Sequence, residues 1–126
     1  MASADTYIVQ DGSKHVNIRV KVTGDGVASS DLVLYDGSDL KNPEQLSIHQ
    51  LWVITPSSTG LVIKFDGSTN DAVATIPGAK MDHMDFKYAG GIKNQASSPT
   101  GNITADVTNA LATDEVIYLG LDLHKS

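Results

Sequence analysis

Apolar and polar residues alternate with a period of two along most of the chain. In residues 15–23 the apolar positions of one parity are Val16, Ile18, Val20 and Val22. In the last apolar segment they are Ile117, Leu119, Leu121 and Leu123. This period is typical of β-strands with one buried face, because successive side chains of a strand point to opposite sides of the sheet. Both segments are therefore predicted to be strands, and the last one is predicted to be central in its sheet.

Glycine beside Asp, Asn or Ser separates these strand-length segments at residues 11–13, 24–26, 36–38, 66–68 and 101–102. Short apolar segments divided by such turns indicate an all-β fold. We predict a single-domain antiparallel β-sandwich of about nine strands, with jelly-roll or Ig-like topology. Residues 1–13 would form an N-terminal arm or edge strand, and residues 14–126 the sandwich. A chain of 126 residues can bury such a core without further crosslinks.

The middle of the chain shows the densest strand pattern. Residues 46–55, 61–65 and 72–76 are apolar and rich in β-branched side chains, and they are separated by turn-forming residues 56–60 and 66–70. We predict that they form a three-stranded meander, and that residues 24–26 close a tight hairpin. The long polar connection at residues 36–45 is predicted to cross from one sheet to the other.

The strand at residues 46–55 has a fault in its alternation. Leu46 and Ile48 share one parity, whereas Leu51 and Val53 share the other, and Trp52 lies between them. Either a β-bulge resets the phase, or the strand is buried on both faces. Burial of both faces would place Trp52 in a contact between subunits.

Charge and composition exclude several classes of partner. The net charge is −6 and the acidic and basic residues are interspersed, which argues against a surface that binds nucleic acid. The longest apolar run is too short for a membrane helix, and the first residues do not resemble a secretory signal. The chain has no cysteine, which excludes disulfides and thiolate metal sites.

We find no catalytic constellation in the sequence. It lacks a cysteine nucleophile, a G-x-S-x-G turn and a P-loop, although a carboxylate pair for glycoside chemistry stays open. His83 and Asp85 would give only two metal ligands on one strand face. Turn capping explains the acidic and amide residues at 66–71, and the other three histidines have no ligand-type neighbours in sequence. The chain is thus predicted to be non-enzymatic, with no catalytic, cofactor or metal site.

The order of motifs resembles that of small virion structural proteins of tailed bacteriophages. The resemblance is carried by L-x-L-Y-D, an apolar strand with tryptophan, an aliphatic strand ending F-D-G-S-T-N-D, Asp-Phe, Gly-Gly-Ile-x-Asn, G-N-I-T and a final aliphatic strand. These lie at residues 32–36, 46–55, 61–71, 85–86, 90–94, 101–104 and 116–123. Several small β-sandwich members of this family decorate the phage head as cement proteins.

The resemblance implies a capsid decoration protein that binds the lattice of the major capsid protein as a homo-oligomer, either a trimer or a dimer. It would be made in the host cytoplasm and would reside on the capsid surface of the virion. The alternative is a sandwich associated with the tail, neck or fibre that assists tail assembly or binds host-surface glycans. From the arm, the double-burial alternative and the polar loop at residues 89–101, the predicted partner interface comprises Tyr7, Ile8, Val9, Trp52, Ile92, Lys93 and Asn94.

Overall fold

The computed structural model describes residues 2–56, 59–86, 90–107 and 109–125. Within these ranges it contains one 3₁₀ turn at Pro43–Gln45 and ten β-strands. The strands are β1 (Ser3–Asp11), β2 (His15–Thr23), β3 (Ser29–Tyr35), β4 (Ser47–Ile54), β5 (Leu61–Phe65), β6 (Asp71–Ile76), β7 (Met81–Asp85), β8 (Ile92–Lys93), β9 (Ile103–Val107) and β10 (Val116–His124). No helix in the described ranges is long and apolar enough to span a membrane.

The strands form two antiparallel sheets. The six-stranded sheet has the order β1-β2-β10-β4-β7, with β8 also paired to β4, and the four-stranded sheet has the order β3-β9-β5-β6. Apart from the pairs β1–β2, β5–β6 and β7–β8, each strand lies in the other sheet from the strand that precedes it. This winding defines a jelly roll. The predicted all-β antiparallel sandwich is confirmed, and of the two predicted topologies the chain adopts the jelly roll.

The core lies between the two sheets and follows the predicted parities. Strands β2 and β10 contribute Val16, Ile18, Val20, Val22, Ile117, Leu119, Leu121 and Leu123, all at most 2% exposed. Strands β5 and β9 cover them with Leu61, Ile63, Phe65, Ile103, Ala105 and Val107. Strand β10 pairs with β2 on one side and β4 on the other, which confirms its predicted central position.

Two predicted local connections are wrong. Strand β4 does not form a meander with β5 and β6, because it belongs to the six-stranded sheet and only β5 and β6 pair as a hairpin. Residues 24–26 do not close a hairpin either, since β2 and β3 lie in different sheets. Turn-forming residues show where a chain reverses, but they do not show which sheet the next strand joins. The predicted crossing at residues 36–45 is confirmed, because β3 and β4 lie in different sheets.

The fault in the alternation of β4 is a β-bulge. The register with β10 pairs Asp122 with Gln50 and Leu123 with Ile48, so His49 is the extra residue. Before the bulge Ile48 points into the core, and after it Leu51 and Val53 do. The bulge therefore keeps one face of β4 in the core and leaves the other on the outside of the sandwich.

Candidate functional site

The outer face of the six-stranded sheet brings together side chains that are far apart in sequence. One row across five strands consists of Tyr7, Arg19, Gly120, Trp52 and His83. The Trp52 indole lies directly over Gly120, because a Cβ at position 120 would be 2.0 Å from Trp52 Nε1. The glycine thus makes room for a large aromatic side chain to lie on the sheet.

In the next row of the same face, strands β10, β4 and β7 each contribute a largely apolar side chain. Tyr118 stands opposite Ile54, and Ile54 stands opposite Met81. Their exposed fractions are 45%, 41% and 79%. We call Trp52, Ile54, Met81 and Tyr118 the apolar patch. Asp5 and Lys21 continue this row on β1 and β2, so charged side chains border the patch on that side.

At the opposite end of the same face the sheet carries a histidine cluster, which consists of His15, His49 and His124. His15 and His124 are direct partners in the β2–β10 register. Their ring centroids are 4.7 Å apart and the rings are nearly perpendicular, at 83°. The rings of His49 and His124 are stacked, with centroids 3.5 Å apart and planes 6° apart. His49 Nε2 is 3.1 Å from Ser47 Oγ.

An acidic side chain completes this cluster. Asp122 lies two residues before His124 on β10, on the same outer face. One oxygen of Asp122 and one ring nitrogen each of His15 and His124 all lie within 4.8 Å of one another. Because β2 and β10 are antiparallel, the first residue of one strand meets the last of the other. The local sequence does not reveal this cluster, because the three histidines have no ligand-type neighbours along the chain. A correct pairing of the two nine-residue strands would have revealed it.

The predicted interface residues differ in their position in the fold and in their exposure to solvent. Tyr7 and Trp52 share the outer face, and Tyr7 is 67% exposed. Ile8 has the opposite parity, yet 49% of it is exposed, because β1 is the edge strand. Val9 lies at an irregularity of the β1–β2 register and is 46% exposed.

The second predicted contact segment lies in and after β8. Ile92 and Lys93 pair with β4, beside the histidine cluster. Asn94 is buried, and its side-chain amide donates a hydrogen bond to the Pro43 carbonyl at 3.1 Å. Its carbonyl oxygen accepts one from the Ala96 N–H at 3.0 Å. Asn94 therefore fastens this loop to the 3₁₀ turn. Residue 89 of the predicted loop lies outside the described residues.

The acidic and amide side chains at residues 66–71 accept hydrogen bonds from other groups of the same chain. Asn70 accepts a hydrogen bond from the Gly67 N–H within its own turn, at 3.1 Å. Asp66 accepts one from the Thr100 hydroxyl at 2.8 Å, and Asp71 accepts one from the Gln95 N–H at 3.1 Å. Turn capping was predicted for this segment; the structure adds that two of the three side chains hold the loop at residues 95–100.

The outer face of the four-stranded sheet carries a lysine that is paired with two carboxylates. The ammonium group of Lys64 contacts Asp31 at 2.7 Å and Asp106 at 3.0 Å. Burial of the Lys64 side chain opposes its charge, but the hydrogen bonds to the two carboxylates outweigh burial and raise the pKa of Lys64 above its ordinary value of 10.5. This face also exposes Val33, which is 46% accessible.

No protein-family model matches the chain, and no curated protein sequence matches it. Among solved structures, a cupin superfamily protein from Desulfitobacterium hafniense DCB-2 aligns with a TM-score of 0.40 and 9% identity, over 97% of this chain and 76% of that one. A family 11 carbohydrate-binding module from Clostridium thermocellum, solved with a β-1,3-1,4-mixed-linked tetrasaccharide, aligns with a TM-score of 0.34 and 13% identity. That alignment covers 98% of this chain and 82% of the module. These likenesses assign no function to the chain.

Proposed function

We propose that the chain is a non-enzymatic phage virion protein that decorates the capsid, and that it attaches through the outer face of its six-stranded sheet. The observation that carries the proposal is the apolar patch. Jelly rolls are used in viral capsids and in lectins, so the fold is compatible with this role without selecting it. The resemblance to small virion structural proteins supports the choice of a capsid as the partner.

The apolar patch has the composition of a protein-binding surface. Tyr118, Ile54 and Met81 stand side by side and keep substantial apolar area in water. Contiguous exposed apolar area on a small protein marks sites of interaction, and aromatic and methionine side chains are enriched there. Charged side chains at Asp5 and Lys21 would form the polar rim of such an interface.

The patch also lies on regular strands. Its members belong to three hydrogen-bonded strands, the opposite faces of β4 and β10 pack in the core, and Trp52 lies over Gly120. Less backbone freedom is therefore lost on binding than for a loop surface. A decoration protein also gains from repetition: many modest contacts on a lattice combine through avidity.

Strand β1 supports self-association as the second part of the proposal. Among the described strands it pairs only with β2, and Ile8 and Val9 are exposed on it. An edge strand offers unpaired N–H and C=O groups to which a strand of another copy can add. A dimer or trimer on the capsid would follow from such a contact.

One observation favours a second function, which is glycan binding by a tail- or fibre-associated sandwich. Trp52 and Tyr118 lie together on the outer face of the six-stranded sheet. Sugars stack on aromatic side chains, so this pair would serve as a platform. The charged rim and the aliphatic members Ile54 and Met81 favour a protein partner instead.

The test is co-sedimentation of purified protein with phage heads that lack decoration, assembled from the major capsid protein encoded with it. We expect the double variant Tyr118→Ser, Met81→Ser to bind heads at least about tenfold more weakly, because two apolar anchors are lost. Val33→Ser, on the outer face of the other sheet, is the matched control and should bind normally. Equal binding by all three proteins would overturn the proposal. Binding to a glycan array but not to heads would favour the second function.

A further inference from the structure

We propose that His15, Asp122 and His124 form a binding site for a divalent transition metal of the zinc type. The three donor atoms lie within 4.8 Å of one another on the outer face of the six-stranded sheet. The site is separate from the apolar patch and is independent of the function proposed above. His15 is exposed and the other two residues are partly exposed, so an ion can reach them from solvent.

The donor set matches the chemistry of zinc and related ions. Imidazole nitrogen and carboxylate oxygen are common ligands of Zn²⁺, at about 2.0–2.2 Å from the ion. Two donors of a tetrahedral ion are then about 3.4 Å apart, so side-chain movements of roughly 1 Å would close the site. Two histidines and one carboxylate also suit Fe²⁺, Co²⁺ and Ni²⁺, and they disfavour Ca²⁺ and Mg²⁺, which prefer oxygen ligands only.

The backbone fixes the relative positions of the three ligands. His15 and His124 are partners in the β2–β10 register, and Asp122 follows on the same face two residues away. The inward neighbours Val16 and Leu123 are buried in the core. The Cα positions therefore cannot drift apart, and only side-chain torsions need to change when an ion binds.

The bulge in β4 provides support for one ligand. It turns His49 outward so that its ring stacks on His124 at 3.5 Å. Gly91 also lies close to this ring, because a Cβ at position 91 would be 2.6 Å from it. The stacked His49 ring restricts the orientation of the His124 imidazole. Such supporting residues typically change metal affinity when they are replaced.

Three protein ligands leave at least one coordination position of the ion open. A water molecule fills that position in the isolated protein, and a donor group of a bound molecule can replace it. An ion bound here would therefore keep one coordination position open to solvent or to a bound molecule, unlike an ion in a closed structural site with four protein ligands.

The test is titration of tag-free, chelator-treated full-length protein with ZnCl₂ by calorimetry, and with CoCl₂ by visible absorbance. We expect one saturable ion per chain. The variants His124→Gln and His15→Gln should each lower the affinity by at least about tenfold, and His49→Ala should lower it by a smaller factor. His83→Gln is the matched control, since His83 lies on the same face outside the cluster, and it should bind normally.

Absence of saturable binding at one ion per chain would overturn the proposal, and so would an equal loss in His83→Gln and His124→Gln. Circular dichroism of each variant checks that it is folded. If a variant is unfolded, the proposed site is tested on the wild-type protein by the NMR signals of its histidine rings. The ring signals of His15 and His124 should shift on zinc addition while those of His83 do not, and the reverse pattern would contradict the site.

Discussion

The Trp52 indole occupies the space in which a side chain at position 120 would lie. A Cβ there would be 2.0 Å from Trp52 Nε1 and 2.3 Å from Cε2. Gly120 is thus required by the packing of its neighbour, because no positive φ is found at this position. Gly120, which has no side chain, therefore determines how the indole of Trp52 lies on the outer face of the sheet.

Gly120→Ala is expected to displace the indole from the sheet. We expect the free energy of unfolding to fall by about 1–3 kcal/mol, the usual cost of overpacking, and the tryptophan fluorescence to shift to longer wavelength as the ring enters water. Urea denaturation and emission spectra measure the two effects. Gly12→Ala is the control, because a Cβ there meets only the His15 carbonyl at an ordinary 3.5 Å. An unchanged emission maximum in Gly120→Ala would contradict the contact.

Lys64→Met should reveal the ion pairs on the four-stranded sheet. We expect it to lower the free energy of unfolding by about 1 kcal/mol at pH 7, since it leaves Asp31 and Asp106 without their shared cation. The raised pKa of Lys64 means that its contribution is fully present below pH 10.5 and is lost as the pH rises through the higher folded-state value. The difference between wild type and variant should therefore shrink in urea titrations above pH 10.5. A constant difference up to pH 12 would be inconsistent with this assignment.

Asn94→Ala should destabilise the fold although the residue was predicted to contact a partner. The substitution removes the donor to the Pro43 carbonyl and the acceptor for the Ala96 N–H. We expect a loss of about 1–3 kcal/mol in the free energy of unfolding, because buried polar groups lose their hydrogen bonds. Lys93→Ala, at an exposed neighbouring position, should change it by less than about 0.5 kcal/mol. Thermal melts of both variants compare the two, and equal melting temperatures would argue against the anchoring role.

Charges on the free edge should reduce self-association. The double variant Ile8→Lys, Val9→Lys places two ammonium groups on β1, and exposed lysines disfavour the addition of another strand. We expect the proposed oligomer to dissociate at least about tenfold more readily, measured by light scattering during size-exclusion chromatography. Gln10→Lys adds a charge to the same strand beside the exposed apolar pair and should have a smaller effect. An oligomer unaffected by the double variant would assign self-association to another surface.

The sequence predicted what depends on local alternation. The burial of Val16 to Val22 on β2 and of Ile117 to Leu123 on β10 follows from a period of two, and so does the fold class. The bulge at His49 was one of two alternatives, because the local sequence does not distinguish a bulge from burial on both faces. The assignment of β4 to its sheet could not be predicted, because local sequence does not specify which strand a segment pairs with.

The same limitation concealed the histidine cluster. His15 and His124 are 109 positions apart, and only the β2–β10 register makes them neighbours. Side chains that meet through strand pairing leave no pattern in the local sequence. The apolar patch likewise has no signature in the local sequence, because its members lie on three different strands.

The extra residue of the bulge, His49, divides β4 into two parts. The part after His49 pairs with β7, and the part before it pairs with β8. Between them the Phe86 N–H donates a hydrogen bond to the His49 carbonyl at 2.8 Å. Substitutions in the apolar patch should therefore leave the histidine cluster in place. Substitutions near the histidine cluster should likewise leave the apolar patch in place. One half of this surface can consequently change in sequence while the other half keeps its arrangement.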